Sequence, residues 1–462
     1  MYSPRTFRYT FILIGLLFLF ASCSTGGSLP PTTTPTDSST APATNTPPVT
    51  PTVTTVAVPP TQTSCPAAGT ARAWITAPLA LGSHQNIVYL VSEHQGTGTT
   101  GTLKRYDLTS GNKTEIVKLP GVYISEAQVS ADGQWLIFVS QVNLQSRLQM
   151  VRMDGQGLQT LFCIASGSIT NVLLSANEQS VLFNLSAAPQ GPVGIYLLNL
   201  KSGMIQLEVK PSDSGAPLHM QFVGSLVTWL DNTRAYVRFA NFAIAPDDSL
   251  GLLDTSRGPN QKMSDITPLF QQKFSPTFNY PCWDADSSFD GSSLFINQCS
   301  GISAPNCSGS CVLGTREGPS TINTEPASGG SPKTILTSQT LGIAAVRAIS
   351  RGTLLLQVEN FSVNHPIDPS QNGIWRVNTD GTNLTRLTTE AKGTTTSLCQ
   401  FSQNPWSNVS RDATRYAFQT LTRGSYPETY TLYTASLNGG APQSFASIAD
   451  GTQLSLVGWT TM

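Results

Sequence analysis

A strand–turn–strand phrase recurs along most of this chain, and it limits the possible folds more than any single residue does. It reads VSADGQWLIF at Val129–Phe138, LLSANEQSVLF at Leu173–Phe183 and VTWLDNTRAYV at Val227–Val237. Degenerate copies are SSFDGSSLFI at Ser287–Ile296, AISRGTLLLQV at Ala348–Val358 and NVSRDATRYAF at Asn408–Phe418. Their turns fall at Asp132, Asn177, Asp231, Asp290, Arg351 and Asp412, 45 to 61 residues apart. That is the spacing of a supersecondary unit repeated in a ring or stack. Each copy is an apolar run, a turn of residues that tolerate tight backbone geometry, and a second apolar run, which reads as a hairpin buried on both faces.

A second hairpin follows each first one. Its clearest copy is IWRVNTDGTNLTRLT at Ile374–Thr388, and others begin at Leu103, Leu148, Ile195 and Leu432. Two hairpins per period give a four-stranded meander. Such sheets stacked radially form a β-propeller, which covers both faces of every blade and leaves only short edges. The pairing of SADGQWLIFVS with IWRVNTDGTNLTRLT resembles the TolB-type propeller repeat over roughly Ala71 to Met462. The resemblance implies an all-β propeller. It does not imply a task, because the family includes accessory envelope proteins and the propeller halves of peptidases.

Six inner strands precede the six turns. The terminal LVGWTTM (Leu456–Met462) is a seventh, with no second strand after it. NIVYLVSE (Asn86–Glu93) supplies the missing partner, so the last strand should join the first blade and close a ring of seven. Six or eight blades are the alternatives, since Ala71–Ala77 also reads as a first inner strand.

The N-terminus has a different character. Arg5 and Arg8 precede the apolar run Phe11–Ala21, which is too short to span a bilayer but suits the core of a signal peptide. Ala21-Ser22-Cys23 resembles a bacterial lipobox, which makes Cys23 the expected lipid attachment site, with two acyl chains as a stable anchor. Phe20 departs from the usual Leu of that motif. Residues 24–70 follow as a Thr/Pro-rich stalk that cannot build a core. The expected organisation is a signal peptide over 1–23, a stalk over 24–70 and a propeller over 71–462. The protein would then be a bacterial cell-envelope lipoprotein exposed outside the cytoplasm. Charged residues make up only 11% of the chain and the net charge is −1, with no basic cluster, so nucleic acid is not an expected partner.

In an exported protein, disulfides are the default for the seven remaining cysteines. Cys282 and Cys299 flank the Asp290 hairpin and are expected to pair across neighbouring strands. Cys307–Cys311 would close a small loop, and Cys65–Cys399 would join the first and last blades, leaving Cys163 free. A zinc site is disfavoured because Cys307 and Cys311 have no CxxC partner or nearby His.

No catalytic set stands out. GxSxG and HExxH are absent, and the four histidines (His84, His94, His219, His365) lie far apart. Asp284, Asp286, Asp290 and Gly291 have the carboxylate density of a calcium loop, but Phe289 and Phe295 occupy the positions where an EF-hand needs Gly and Glu. No cofactor is therefore expected. The favoured function is a monomeric binding module for a protein or glycan. The alternative is a glycoside hydrolase or polysaccharide lyase using carboxylates from different blades at the channel mouth.

Loop lengths suggest where a partner would dock. The connections between hairpins, at Glu93–Gly101, Ser186–Gly194, Arg238–Leu250, Gln298–Cys311, Glu359–Gly373 and Thr420–Thr429, are long and share one face. They carry Phe239, Phe242, Phe361, His365 and Tyr426 as candidate contact residues. Arg316–Lys333 reads as a long exception on the opposite face.

Overall fold

The computed structural model describes residues 61–75, 78–95, 98–186, 193–212, 214–215, 224–240, 248–272, 282–299, 301–303, 312–315, 319–360, 369–398, 405–422, 428–449 and 453–462. Seven four-stranded antiparallel sheets follow one another along the chain, so the fold is a β-propeller with the seven blades expected from the count of inner strands. Blade 2 is typical, with strands Tyr123–Val129, Trp135–Val142, Gln145–Arg152 and Gln159–Ile164 hydrogen-bonded in sequence order. The inner strands of blades 3 to 6 are Ser168–Leu174, Ser225–Trp229, Cys282–Ser287 and Ile343–Ser350.

Closure occurs in blade 1. The terminal strand Gln453–Thr461 pairs antiparallel with Gln85–Gln95, placing Ile87 opposite Trp459 and Val91 opposite Leu454. One sheet thus contains both ends of the ring, and no edge is left at the join. Residues 71–75 contribute no strand. They pack beside blades 2 and 3, with Ala73 and Ile75 against the core there.

The recurring turn owes its Ser-x-Asp/Asn to a side-chain lock. Ser130 Oγ donates to Asp132 Oδ1 at 2.6 Å, while Trp135 N donates back to Ser130 Oγ at 3.0 Å. Ser175/Asn177, Ser288/Asp290 and Ser410/Asp412 repeat the hydroxyl-to-acceptor bond at 2.7, 2.7 and 2.6 Å. The next position is left-handed. Glycine fills it at Gly133 (φ 81°) and Gly291 (φ 65°), but Glu178 (φ 56°) and Ala413 (φ 53°) accept the same conformation at some cost.

Several elements differ from the sequence expectation. In blade 7 the inner strand is interrupted. Thr394–Ser397 pairs with the far end of Arg415–Thr422, and only Val409 bridges back to Tyr416 near the turn. Pro405–Ser407 forms a short 3-10 turn between the two parts. Ser320–Pro326 is the third strand of blade 5, so the long connection there lies between strands two and three. It carries its own small ladder of Gly301–Ser303 on Val312–Thr315. The supposed exception at Arg316–Lys333 is thus a misplaced strand. The Glu93–Gly101 connection is also short, because Gln95 and Gly98 already belong to facing strands.

Candidate functional site

The inner strands of adjacent blades neighbour one another around the axis. Their backbone edges would be unpaired there, and side chains from the preceding blade satisfy several of them. Glu126, on the inner strand of blade 2, accepts from Asn171 N at 2.9 Å and Val172 N at 3.0 Å in blade 3. Two residues on, Gln128 Oε1 accepts from Leu174 N at 2.8 Å. Blade 5 repeats the device. Asp284 accepts from Val346 N at 3.1 Å, and Asp286 accepts from Ala348 N at 2.8 Å, both on blade 6. The i, i+2 spacing on each side follows from strand geometry, which sends alternate side chains to the same face.

Electrostatics follow from this packing. Burial pushes Glu126 above the ordinary carboxylate range, against the opposing pull of its two N–H donors. Burial pushes Asp286 up to about 7, although Arg347 and the Ala348 N–H favour its charged form. Arg347 itself pairs with Asp284.

A cup of about 260 Å³ opens at the axis on the face that carries the first-hairpin turns. Trp229, Phe289 and Trp406 supply its aromatic walls, and Gln128, Thr228 and Asp286 its polar lining. Each wall residue is held in place. Trp229 Nε1 donates to Leu173 O at 3.1 Å, and Phe289 meets Trp406 edge-on with ring centroids 5.3 Å apart. The Arg411 guanidinium lies 4.7 Å from the centroid of the Trp406 ring. That guanidinium also donates to Ser130 O and Ala131 O of blade 2 and to Trp459 O of blade 1. Arg411 thus pins three blades together at the rim of the cup, and burial lowers its pKa to about 10.

The structure disposes of the sequence candidates unevenly. Phe239 is not a surface residue: its strand continues to Ala240, and the side chain is fully buried in the core of blade 4. Phe242, Phe361, His365 and Tyr426 lie outside the described residues, as do Cys23, Cys307, Cys311 and Cys399. Cys163 is not free but forms a disulfide with Cys65, with Cα atoms 5.8 Å apart, which rules out the expected Cys65–Cys399 pair. The reason is a short run of chain beside the outer strand of blade 2, where Gln62 bridges Gln159 and brings Cys65 alongside. Cys299 is disulfide-bonded and stands directly opposite Cys282 in the ladder, where the hairpin register was expected to place it.

The carboxylates of the calcium-like segment do not converge on a shared point. Asp284 and Asp286 hold blade 6, while Asp290 accepts from Ser288 and Ser292 within its own turn. Among the described residues no group of three or more His, Cys, Asp or Glu is placed to hold a metal ion. No described helix is long and apolar enough to cross a membrane. Sequence reasoning missed the cup entirely. Trp229 and Trp406 were visible as aromatics, but nothing local marks them as neighbours across the axis.

No protein-family model matches the chain, and no curated protein does. Several solved structures are similar. The β-propeller domain of the Trilobed protease from Pyrococcus furiosus aligns over 80% of this chain and 94% of its own, at 10% identity and a TM-score of 0.49. TolB from Acinetobacter baumannii aligns over 68% and 67%, at 13% identity and a TM-score of 0.38. An oligogalacturonate lyase in complex with manganese aligns over 80% and 75%, at 11% identity and a TM-score of 0.32. Similarity at this level carries no functional conclusion, and the architecture rests on the strand ladders themselves.

Proposed function

We propose that this chain is a lipid-anchored, extracytoplasmic propeller that binds a protein or glycan partner and does no chemistry on it. One observation carries the reading against the hydrolase or lyase alternative. The described inner strands hold three carboxylates, Glu126, Asp284 and Asp286, and all three accept backbone N–H groups from the next blade. A glycosidase needs two carboxyl groups facing the substrate, one of them free to move a proton. Among the described residues lining the cup, Asp286 is the only carboxyl group, beside three aromatic walls suited to contact.

The anchor rests on Cys23 after the apolar run, and the Thr/Pro stalk gives reach. At about 3.1 Å per residue, the 37 residues from Ser24 to Pro60 extend to at most about 115 Å. Cys23→Ala should abolish palmitate labelling and release the protein from membranes; a variant that still labels would defeat the anchor. Incubation of the full chain with envelope and plant polysaccharides should release no reducing ends and no unsaturated products. Turnover of any of them, lost in Asp286→Asn, would establish the enzyme instead.

A further inference from the structure

The axial cup combines features that suit a narrower class of ligand than a binding module in general. Its aromatic walls come from three blades. Trp229 is fixed by its bond to Leu173 O, and Trp406 by the stacked Arg411 and the edge of Phe289. These are rigid, flat apolar surfaces that lose little conformational freedom on contact.

The polar lining adds hydrogen-bonding capacity. Gln128 is only 4% exposed, and its Oε1 already accepts from Leu174 N. The residue lines the cup, and its amide group is a hydrogen-bond donor. A ligand oxygen in the cup is a suitable acceptor for such a donor. Asp286, on the opposite side of the axis, adds a carboxyl group, and Ser287 beside it adds a hydroxyl. Volume limits the occupant further: about 260 Å³ lies below the ~300–1,000 Å³ of pockets for drug-sized ligands.

We propose that the cup holds one neutral pyranose ring at the end of a glycan chain, stacked on the aromatic walls with its hydroxyl edge on Gln128 and Asp286. A pyranose has an apolar C–H face and a hydroxyl-rich edge, matching a lining divided in this way. The charge balance selects a neutral sugar. Among the described lining residues the only carboxyl group is Asp286, and the nearby cation, Arg411, is directed to the carbonyls of Ser130, Ala131 and Trp459. A uronate would therefore meet no positive partner. The inference rests on the binding-module reading and names its ligand.

The test is titration of the full chain in detergent with cellotriose, triacetylchitotriose and trigalacturonate, followed by tryptophan fluorescence and calorimetry. At least one neutral trisaccharide should bind, with trigalacturonate at least ten-fold weaker. Phe289→Ala, which trims one wall, should weaken binding about ten-fold. Gln128→Glu keeps the acceptor for Leu174 N but removes the amide donor, and it should weaken binding at least as much. Thermal melts of each variant identify any loss of folding. Failure of both neutral sugars to bind would overturn the proposal, as would a preference for trigalacturonate or indifference to both folded variants. If sugars fail but an envelope protein crosslinks at residue 406, the ligand class is wrong and the binding-module reading stands. If a trisaccharide is cleaved, that reading falls as well.

Discussion

The seam between blades 2 and 3 and the seam between blades 5 and 6 solve one problem with different chemistry. Each sends two side chains, two residues apart, to backbone N–H groups two residues apart on the next inner strand. The first seam uses Glu126 and the uncharged Gln128. The second uses two aspartates, and so buries negative charge that must be answered. Arg347 answers it for Asp284, while Asp286, deeper in the lining, remains hard to ionise. Geometry thus dictates an acceptor at these positions, but not its charge. A neutral amide does the work at a far smaller desolvation cost, whereas a carboxylate needs a cation or a proton.

The comparison breaks most sharply at Asp284. Asp284→Ala leaves Arg347, only 11% exposed, without this carboxylate. Loss of one partner of a buried pair typically costs about 3–5 kcal/mol, and chemical denaturation should report a loss of that order. An effect under about 1 kcal/mol would mean that the pair is solvated like a surface ion pair.

Glu126→Ala should cost less, about 2 kcal/mol, since it strands two buried N–H groups but no opposite charge. Glu126→Gln removes the charge but keeps an acceptor for only one of the two N–H groups, which bond different carboxylate oxygens, so it should recover about half of that loss. If it is as damaging as alanine, the charge matters and the two seams are not equivalent.

The most diagnostic effect belongs to Asp286. Its folded-state pKa is raised from the ordinary 3.8 to about 7. The folded protein therefore holds the proton more tightly than the unfolded chain. This contribution is complete below about pH 4 and is lost as pH rises toward and through 7. Asp286→Asn, which keeps an acceptor for Ala348 N and cannot ionise, should flatten the melting-temperature profile between pH 4 and 7. It should also be more stable than wild type at pH 8. A wild-type profile with no such decline, or a variant with the same slope, would show that Asp286 stays ionised against Arg347.

Much of the fold was legible because it is written locally. A hairpin needs a turn residue and two apolar runs, all within about a dozen positions, and the Ser130/Asp132 lock lies wholly inside that window. Ring closure was legible for a related reason: Leu456–Met462 is a strand without a following partner, and Asn86–Glu93 lacks a preceding one. The third strand of blade 5 was misplaced because the hairpin at Gly301–Thr315 offers a competing apolar run. Phe239 was misread because its strand extends past Arg238, and strand ends depend on pairing with Ser249 rather than on local sequence.

The sequence by itself determined the hairpins, their number, the closing strand and the face that each alternate side chain takes. Those properties follow from turn chemistry and a period of two, which act between near neighbours in the chain. Only the tertiary structure decided that Cys65 meets Cys163, that three acidic side chains serve as clamps between blades, and that Trp229, Phe289 and Trp406 share a cup. These contacts join residues 45 or more positions apart, and the clamps and cup converge on one axis. Their partners are fixed by the rotation from blade to blade, a quantity that no local stretch of chain encodes.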